Sequence, residues 1–247
     1  MDQSSELNEA LDRSRAVDTQ RVPFGRGELF RAQLFTGGQI QKISAQIDTV
    51  PEGLRRQPTA GGMTTIGEPL YLNRHQLDYY TQCAHADNLR LYSHFSHVYE
   101  RLAGFFAQRY GAPVVYTEEL AVPGFHIFEF PQPGEYRGGS WHFDTLYLQV
   151  PALAARRDEI SDVVNFTLPV QVPSGGTGMD LCDGGPGDDG QGRGVRISTP
   201  YLPGLLVFNE HEYWHRIGDS RCLGAGERRV TLQGHGVCFQ GQWLLFW

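Results

Sequence analysis

The hydrophobic pattern divides the chain into a mainly helical first half and a second half of short strands. Apolar residues recur at three- and four-residue steps over residues 88–110, which predicts a helix that ends at Gly111. Residues 24–35 favour a first strand or a helix edge, residues 63–72 favour a strand, and residues 40–50 mix the two patterns. The first half therefore contains one clear helix, and the pattern does not decide between helix and strand for all of its shorter elements.

Apolar runs rich in aromatic and β-branched residues predict strands in the second half. They cover residues 125–130, 139–148, 163–172 and 205–208, and a final pair of strands opens at Arg228. A run of short strands after helices is compatible with a mostly β domain, of the jelly-roll or cupin kind, with N-terminal helices packed on one sheet.

Two polar segments interrupt this pattern. Residues 1–20 are polar and poor in aromatic side chains, and we expect flexibility there. Residues 173–194 are rich in glycine and aspartate, including Asp188 and Asp189, and resemble neither a phosphate-binding glycine loop nor an EF-hand. They are expected to form a mobile loop near the mouth of a site, or a surface insertion without a role.

Composition narrows the class of protein. A chain of 247 residues is long enough for one domain with a sizeable core, spanning residues 1–247. The net charge of −7 and the absence of a basic block argue against a nucleic-acid partner. The four cysteines are scattered and predict free thiols in a reducing compartment. No signal peptide or apolar run of membrane-spanning length is visible, so we expect a cytoplasmic protein without a membrane partner.

The segment 139–148 carries the first candidate chemistry. If it is a strand, the side chains of His142 and Asp144 share one face, because residues two apart point the same way. An imidazole beside a carboxylate supplies two ligands of the two-His, one-carboxylate triad that binds non-haem Fe(II). The same spacing in His85 and Asp87 falls on a predicted helix, where residues two apart do not face each other.

A third candidate metal ligand and a candidate carboxylate-binding pair lie further along the chain. After the strand 205–208 comes a turn, and either His211 or His215 is available as the third ligand. In the strand that opens at Arg228, Arg229 and Thr231 share a face. A buried arginine needs an anionic partner, and a guanidinium beside a hydroxyl suits a small carboxylate. Arg228 lacks a hydroxyl residue two places on, and we expect it to point to solvent.

These residues, in this order, resemble the Fe(II)/2-oxoglutarate-dependent dioxygenase superfamily. His215 follows His142 by 73 positions (215 − 142), and Arg229 follows His215 by 14 (229 − 215). The superfamily pattern is His-x-Asp, a distal His and Arg-x-Ser/Thr, and the resemblance covers about residues 123–235. The interval from Gly204 and the aromatic-His-Arg context favour His215 over His211 as the distal ligand.

The resemblance implies a double-stranded β-helix core and a cofactor set of Fe(II), 2-oxoglutarate and O2. It implies that His142, Asp144 and His215 are the catalytic iron ligands, and that Arg229 and Thr231 bind the far carboxylate of 2-oxoglutarate. The expected reaction is hydroxylation of an unactivated C–H bond. A carboxylate at Asp144 disfavours halogenation, because the related halogenases need a small residue there.

Other residues extend the expected site. His126 is a candidate contact of 2-oxoglutarate or substrate, or else a hydrogen-bonded core histidine. Asn165 is a further candidate for the co-substrate, or a polar strand end. Arg156 and Arg157 are candidates for a substrate carboxylate, which suggests a small molecule such as an amino acid or a natural-product intermediate.

Several other functions stay open at this point. On the same iron site the chain is compatible with a desaturase, an epoxidase or a cyclising oxidase. A cupin-like metal-binding sensor without turnover and a Zn(II) hydrolase are further alternatives, although a hydrolase has no need of Arg229 and Thr231.

Overall fold

The computed structural model describes residues 17–56, 62–185, 193–222 and 224–247, so most of the segment 1–20 lies outside the described residues. The helices are α1 (Gly37–Asp48), α2 (Leu77–Tyr110) and α3 (Pro151–Ala154). The strands are, in chain order, β1 (Thr19–Phe24), β2 (Gly27–Gln33), β3 (Arg55–Arg56), β4 (Met63–Ile66), β5 (Val114–Val115), β6 (Gly124–Phe130), β7 (Gly134–Tyr136), β8 (Ile160–Gln171), β9 (Gly178–Cys182), β10 (Arg196–Pro200), β11 (Leu205–Asn209), β12 (Trp214–Ile217), β13 (Ser220–Cys222), β14 (Glu227–Phe239) and β15 (Gln242–Phe246). The described residues are therefore mostly β with few helices, as predicted.

A large sheet dominates the described residues. Its ten strands run in the order β1-β2-β11-β8-β14-β6-β4-β3, and β15 joins β14 to β5. All neighbours are antiparallel except the β15–β5 pair. The long strands β8 and β14 lie at the centre of this sheet. Polar residues on one face of these strands therefore point toward the element that packs against that face.

The first helix occupies the segment whose pattern was ambiguous. The Thr36 hydroxyl accepts a hydrogen bond from the Gln39 N–H, and the Gln39 side chain accepts one from the Thr36 N–H, which forms a capping box. Three isoleucines at helical spacing are then buried. These are Ile40, Ile43 and Ile47. The cap decides the helix start, and burial of these residues stabilises it.

The helix predicted over residues 88–110 is confirmed as part of α2, which begins earlier, at Leu77, and has a kink at Phe95. It ends at Gly111, whose φ of 62° is the left-handed cap conformation that glycine adopts without strain. Phe95 of α2 contacts Phe125 of β6 with ring centroids 4.7 Å apart, and Phe106 contacts Phe166 of β8 at 5.2 Å. These aromatic contacts lie in the main hydrophobic core. No helix in the described parts of the chain is long and apolar enough to cross a membrane.

A smaller sheet in the order β10-β9-β12 faces the large one. Met179 and Leu181 of β9 belong to the same buried cluster as Leu29 and Val207 of the large sheet, so the two sheets share a core. The expectation of one loop over residues 173–194 is wrong for β9, because its alternate apolar side chains are buried. Residues 186–192, which include Asp188 and Asp189, lie outside the described residues.

The predicted strand over residues 139–148 is also wrong. The segment forms one isolated bridge at His142 and then a 3-10 turn at Leu146–Gln149. It passes very close to β12, since a Cβ added to Gly138 would lie 2.0 Å from the Ile217 carbonyl oxygen. The close approach of Gly138 brings this segment against β12 without a continuous ladder. The four cysteines are free, as predicted.

Candidate active site

His142 and His215 are brought together by the isolated bridge. The His142 N–H donates to the His215 carbonyl at 2.9 Å, and the His215 N–H donates to the His142 carbonyl at 3.0 Å. Directly paired residues of an antiparallel bridge project to the same side. The two imidazole centroids are 4.4 Å apart as a result.

Asp144 completes a cluster with these two histidines. Its Oδ2 lies 3.1 Å from the His215 Nε2, and its Oδ1 lies 3.7 Å from the His142 Nε2. One ligand atom from each of the three residues lies within 4.8 Å of the others. Two imidazoles and one carboxylate on one side of a cavity are a donor set that suits Fe(II) and leaves coordination positions open.

Backbone carbonyls orient both imidazoles. The Nδ1 of His142 lies 2.7 Å from the Ser140 carbonyl oxygen, and the Nδ1 of His215 lies 2.9 Å from the Tyr213 carbonyl oxygen. A carbonyl only accepts hydrogen bonds, so each Nδ1 carries the proton and each Nε2 keeps its lone pair. This arrangement is typical of metal-binding histidines.

Burial and neighbouring charges shift the pKa values of all three residues of the cluster. Burial raises the pKa of Asp144, but the nearby imidazoles of His215 and His235 outweigh burial and hold that pKa well below its ordinary value. Burial lowers the pKa of His142, and the neighbouring imidazole adds to this effect. Burial also acts to lower the pKa of His215, but Asp144 raises it overall. The carboxylate is therefore ionised and His142 is neutral at neutral pH.

Arg229 and Thr231 lie on the same face of β14 as the cavity-lining residues Gln233 and His235. Both are buried, with 4% and 1% of their surface exposed. Alternate residues of the strand point the other way, and Leu232 there is fully buried in the main core. The period of two in β14 thus separates a polar inner face from an apolar outer face.

Arg229 is buried without an anionic partner among the described residues. Its Nε has no hydrogen-bond partner in this part of the chain, and neither does the Thr231 hydroxyl. The guanidinium lies over the Phe128 ring at 4.0 Å, and burial lowers the pKa of Arg229 to about 10. A desolvated guanidinium next to an unpaired hydroxyl fits a carboxylate ligand.

The neighbouring arginine has a different environment. Arg228 donates from Nη1 to the Asp48 carboxylate on α1 at 2.7 Å. Arg228 therefore lies on the outer face of β14 with a partly exposed side chain, as expected, and forms an ion pair at the surface. The ion pair gives its charge a partner, which Arg229 lacks.

A cavity of about 580 Å³ opens above the triad, between the two sheets. This volume is in the range of small-molecule sites. Its polar lining residues include Arg74, His126, Asn165, Thr167, Asn209, Gln233 and His235, together with the triad. Its apolar and aromatic lining includes Met63, Leu70, Tyr71, Phe128, Phe143, Leu146, Tyr201 and Trp247.

His126 lies on the cavity wall and is also held by buried contacts. It lines the cavity and is 3% exposed, and its Nε2 lies 2.9 Å from the Tyr71 hydroxyl. The Trp247 ring packs against it with centroids 5.0 Å apart. Burial, with the nearby charge of Arg229, lowers the pKa of His126 to about 3, so the imidazole is neutral.

His235 is a cavity residue that the sequence reasoning missed. Its Nδ1 lies 2.8 Å from the Asn165 Oδ1 across the β8–β14 pair and 3.8 Å from the Asp144 carboxylate. The signal was present, because Arg229, Thr231, Gln233 and His235 recur every second residue. Extending the strand beyond Thr231 would have identified it.

The other arginine and histidine candidates lie elsewhere. Arg156 is exposed, pairs with Glu159 at 3.1 Å and lies over the Phe239 ring. Arg157 is also exposed, and neither arginine lines the cavity. His211 is exposed and is absent from both the triad and the cavity lining. The structure therefore brings His126, Asn165 and the triad to one cavity and leaves these three residues outside it.

Comparison with solved structures identifies the fold. The chain aligns with an N-substituted L-amino acid dioxygenase from Burkholderia ambifaria AMMD at a TM-score of 0.54 and 16% identity, covering 98% of this chain and 91% of that chain. A structure described as that novel dioxygenase in complex with alpha-KG, from the same organism, aligns at a TM-score of 0.53 and 14% identity, covering 93% and 98%. This chain has the fold of that dioxygenase. No protein-family model and no curated protein sequence matches the chain.

Proposed function

We propose that the protein is an Fe(II)- and 2-oxoglutarate-dependent dioxygenase, one domain over residues 1–247, that hydroxylates an unactivated C–H bond of a small molecule. The observation that carries the proposal is that Arg229 and Thr231 are buried without an anionic partner among the described residues, next to a cavity that contains the cluster of His142, Asp144 and His215. A metal-binding sensor or a hydrolase accounts for the triad but gives no reason for a desolvated arginine.

The triad residues have the ligand role in this proposal. His142, Asp144 and His215 would hold the iron through one atom each, and the Ser140 and Tyr213 carbonyls keep the imidazoles in the metal-binding tautomer. When bound, iron with 2-oxoglutarate would supply O2 activation and hydrogen abstraction. The protein's own contribution is to orient the reactants and to exclude water.

Arg229 and Thr231 would bind the far carboxylate of 2-oxoglutarate, which compensates the buried charge of the guanidinium. His126, fixed by Tyr71 and Trp247, is a neutral polar contact on the cavity wall for the co-substrate or substrate. Asn165, held by His235, is a second one.

The substrate proposed for the remaining volume is a small molecule, either an amino acid or a related natural-product intermediate. The cavity has the volume of a small-molecule site and both apolar and polar walls. The aligned structure from Burkholderia ambifaria is described as acting on N-substituted L-amino acids, which supports testing that class first. No nucleic-acid or membrane partner is part of the proposal.

Anaerobic addition of Fe(II) and 2-oxoglutarate to the apo-protein tests the proposal. We expect the weak visible charge-transfer band of the iron chelate in the wild type and its loss or weakening in Arg229→Ala. Arg228→Ala is the matched control, since it removes the adjacent arginine and its surface ion pair with Asp48 and keeps the inner face of β14 intact. Iron binding without the band in the wild type would refute the proposal.

Aerobic incubation with amino acids and N-substituted amino acids then identifies the reaction. Succinate release that depends on substrate is expected, with a product heavier by one oxygen atom. A product lighter by two hydrogens would instead assign desaturation or ring closure to the same site.

A further inference from the structure

Arg74 lies on the wall of the cavity and belongs to neither the metal cluster nor the Arg229 pair. Of the cavity-lining residues, it is the one with a permanent positive charge. Its Nε donates to the His75 Nε2 at 3.0 Å, and it forms no ion pair within the described residues. Arg74 is an exposed residue of the cavity lining in a protein with a net charge of −7, so its charge is accessible to an anionic ligand that enters from solvent.

Hydrogen bonds hold the turn that precedes Arg74. A 3-10 turn at Leu70–Leu72 precedes it, and the buried Asn73 side chain donates to the Glu68 carboxylate at 2.7 Å and to the Pro69 carbonyl at 2.9 Å. The Leu70 N–H also donates to the Trp247 carbonyl at 3.3 Å. Because these hydrogen bonds already order the backbone before Arg74, little further ordering of the backbone is needed when a ligand contacts Arg74.

A network of ion pairs holds Glu68, the residue to which the Asn73 side chain of this turn donates. Glu68 pairs with Arg56, and Arg56 also pairs with Asp87 of α2. Glu68 and Asp87 are both buried, and buried charges are retained only when paired. None of these three residues lines the cavity, so the network acts on the site by holding the turn in place.

The remaining chemistry of the cavity suits an anionic ligand with an apolar body. Met63, Leu70, Phe143 and Leu146 supply apolar surface to the same cavity. Asp144 is the single carboxylate of the lining, and the proposed function commits it to the metal. A free carboxylate on the ligand is therefore the group that Arg74 would attract and that no lining carboxylate would repel.

We propose that Arg74 binds the carboxylate of the substrate and that the substrate is a small carboxylic acid with an apolar body. This assignment rests on the proposed function and deepens it, because it names the substrate class and the group on the substrate that Arg74 binds. Arg74 is then a specificity-determining residue.

Isothermal titration calorimetry with a matched acid and amide tests this role without turnover. The probes are 3-phenylpropanoate and 3-phenylpropanamide, titrated into the full-length protein with Fe(II) and 2-oxoglutarate under anaerobic conditions, so that Arg229 is occupied. The wild type is expected to bind the acid about tenfold more tightly than the amide, as for a charge-assisted contact at a partly exposed site. Arg74→Gln should bind both equally, and Arg74→Lys should retain part of the preference.

Two further variants provide the controls. Arg221→Gln removes an arginine with a 72% exposed side chain outside the cavity and should keep the preference. Arg156→Gln tests the carboxylate contact expected from sequence. Absence of acid binding, equal affinity of wild type for acid and amide, a preference that persists in Arg74→Gln, or one lost in Arg156→Gln would each overturn the assignment.

Failure of the proposed function can be distinguished from failure of the Arg74 assignment. If the charge-transfer band is absent, the same titration in an Arg229→Ala background still compares acid with amide, because the competing anion site has been removed.

Discussion

Replacing Arg229 with methionine tests whether its buried charge is present for a ligand or for the fold. Burial lowers the pKa of Arg229 well below its ordinary value, to about 10. A depression of this size corresponds to about 3 kcal/mol of destabilisation at pH 7, where the guanidinium is charged in both the folded and the unfolded state. The sign follows from a depressed cation pKa: this cost is relieved only as the pH rises through about 10.

Removal of the buried charge should stabilise the Arg229→Met variant, but loss of a second interaction offsets part of this stabilisation. The guanidinium lies 4.0 Å over the Phe128 ring, and such a desolvated contact contributes about 2 kcal/mol. Methionine has a similar reach and keeps contact with the ring. The net expectation for Arg229→Met is a ligand-free protein more stable by about 1–2 kcal/mol, which raises Tm by roughly 2–8 °C for a chain of this size.

When 2-oxoglutarate is added, the wild type should become more stable than the Arg229→Met variant. With Fe(II) in the absence of oxygen and 2-oxoglutarate at about 100 times its Kd, the wild type gains about 2.7 kcal/mol, and the variant should gain almost nothing from 2-oxoglutarate. Thermal melts of both proteins with and without 2-oxoglutarate measure this crossover. Arg228→Met is the control and should lose at most about 1 kcal/mol, since its ion pair with Asp48 is near the surface, while keeping the ligand response.

A ligand-free Arg229→Met protein that is less stable than wild type by 2 kcal/mol or more would refute this reasoning. It would mean that the fold itself satisfies the guanidinium. An unchanged response to 2-oxoglutarate in this variant would refute the carboxylate role of Arg229.

Two further predictions concern the metal cluster and the cavity wall. Because ligand imidazoles must be deprotonated and the pKa of His215 is raised by Asp144, iron affinity in equilibrium dialysis should fall as the pH drops below neutrality, and a flat profile between pH 8 and 5 would contradict this. Gly124→Ala places a Cβ 2.0 Å from the Trp247 ring and should destabilise the protein by about 1–3 kcal/mol in urea denaturation, whereas Gly104→Ala, with no atom within 4 Å, should stabilise the second helix by about 0.5–1 kcal/mol.

The sequence alone predicted those features that depend on local periodicity and on residue chemistry. The apolar repeat and Gly111 located the end of the long helix, because a helix face and its glycine cap are local properties. The period of two in β14 placed Arg229 and Thr231 on one face and Arg228 on the other. A buried arginine implied an anion before any contact was known.

Tertiary structure decided how distant segments meet. His142 is not part of a strand, and its position depends on one bridge to His215, which no local pattern encodes. Residues 178–182 look like a glycine-rich loop, but burial of Met179 and Leu181 against the large sheet makes them a strand. The position of Arg74 on the cavity wall depends on Glu68, Arg56 and Asp87, which are separated along the chain. Charge pairing and packing between remote residues are properties of the folded chain, so only the structure could assign them.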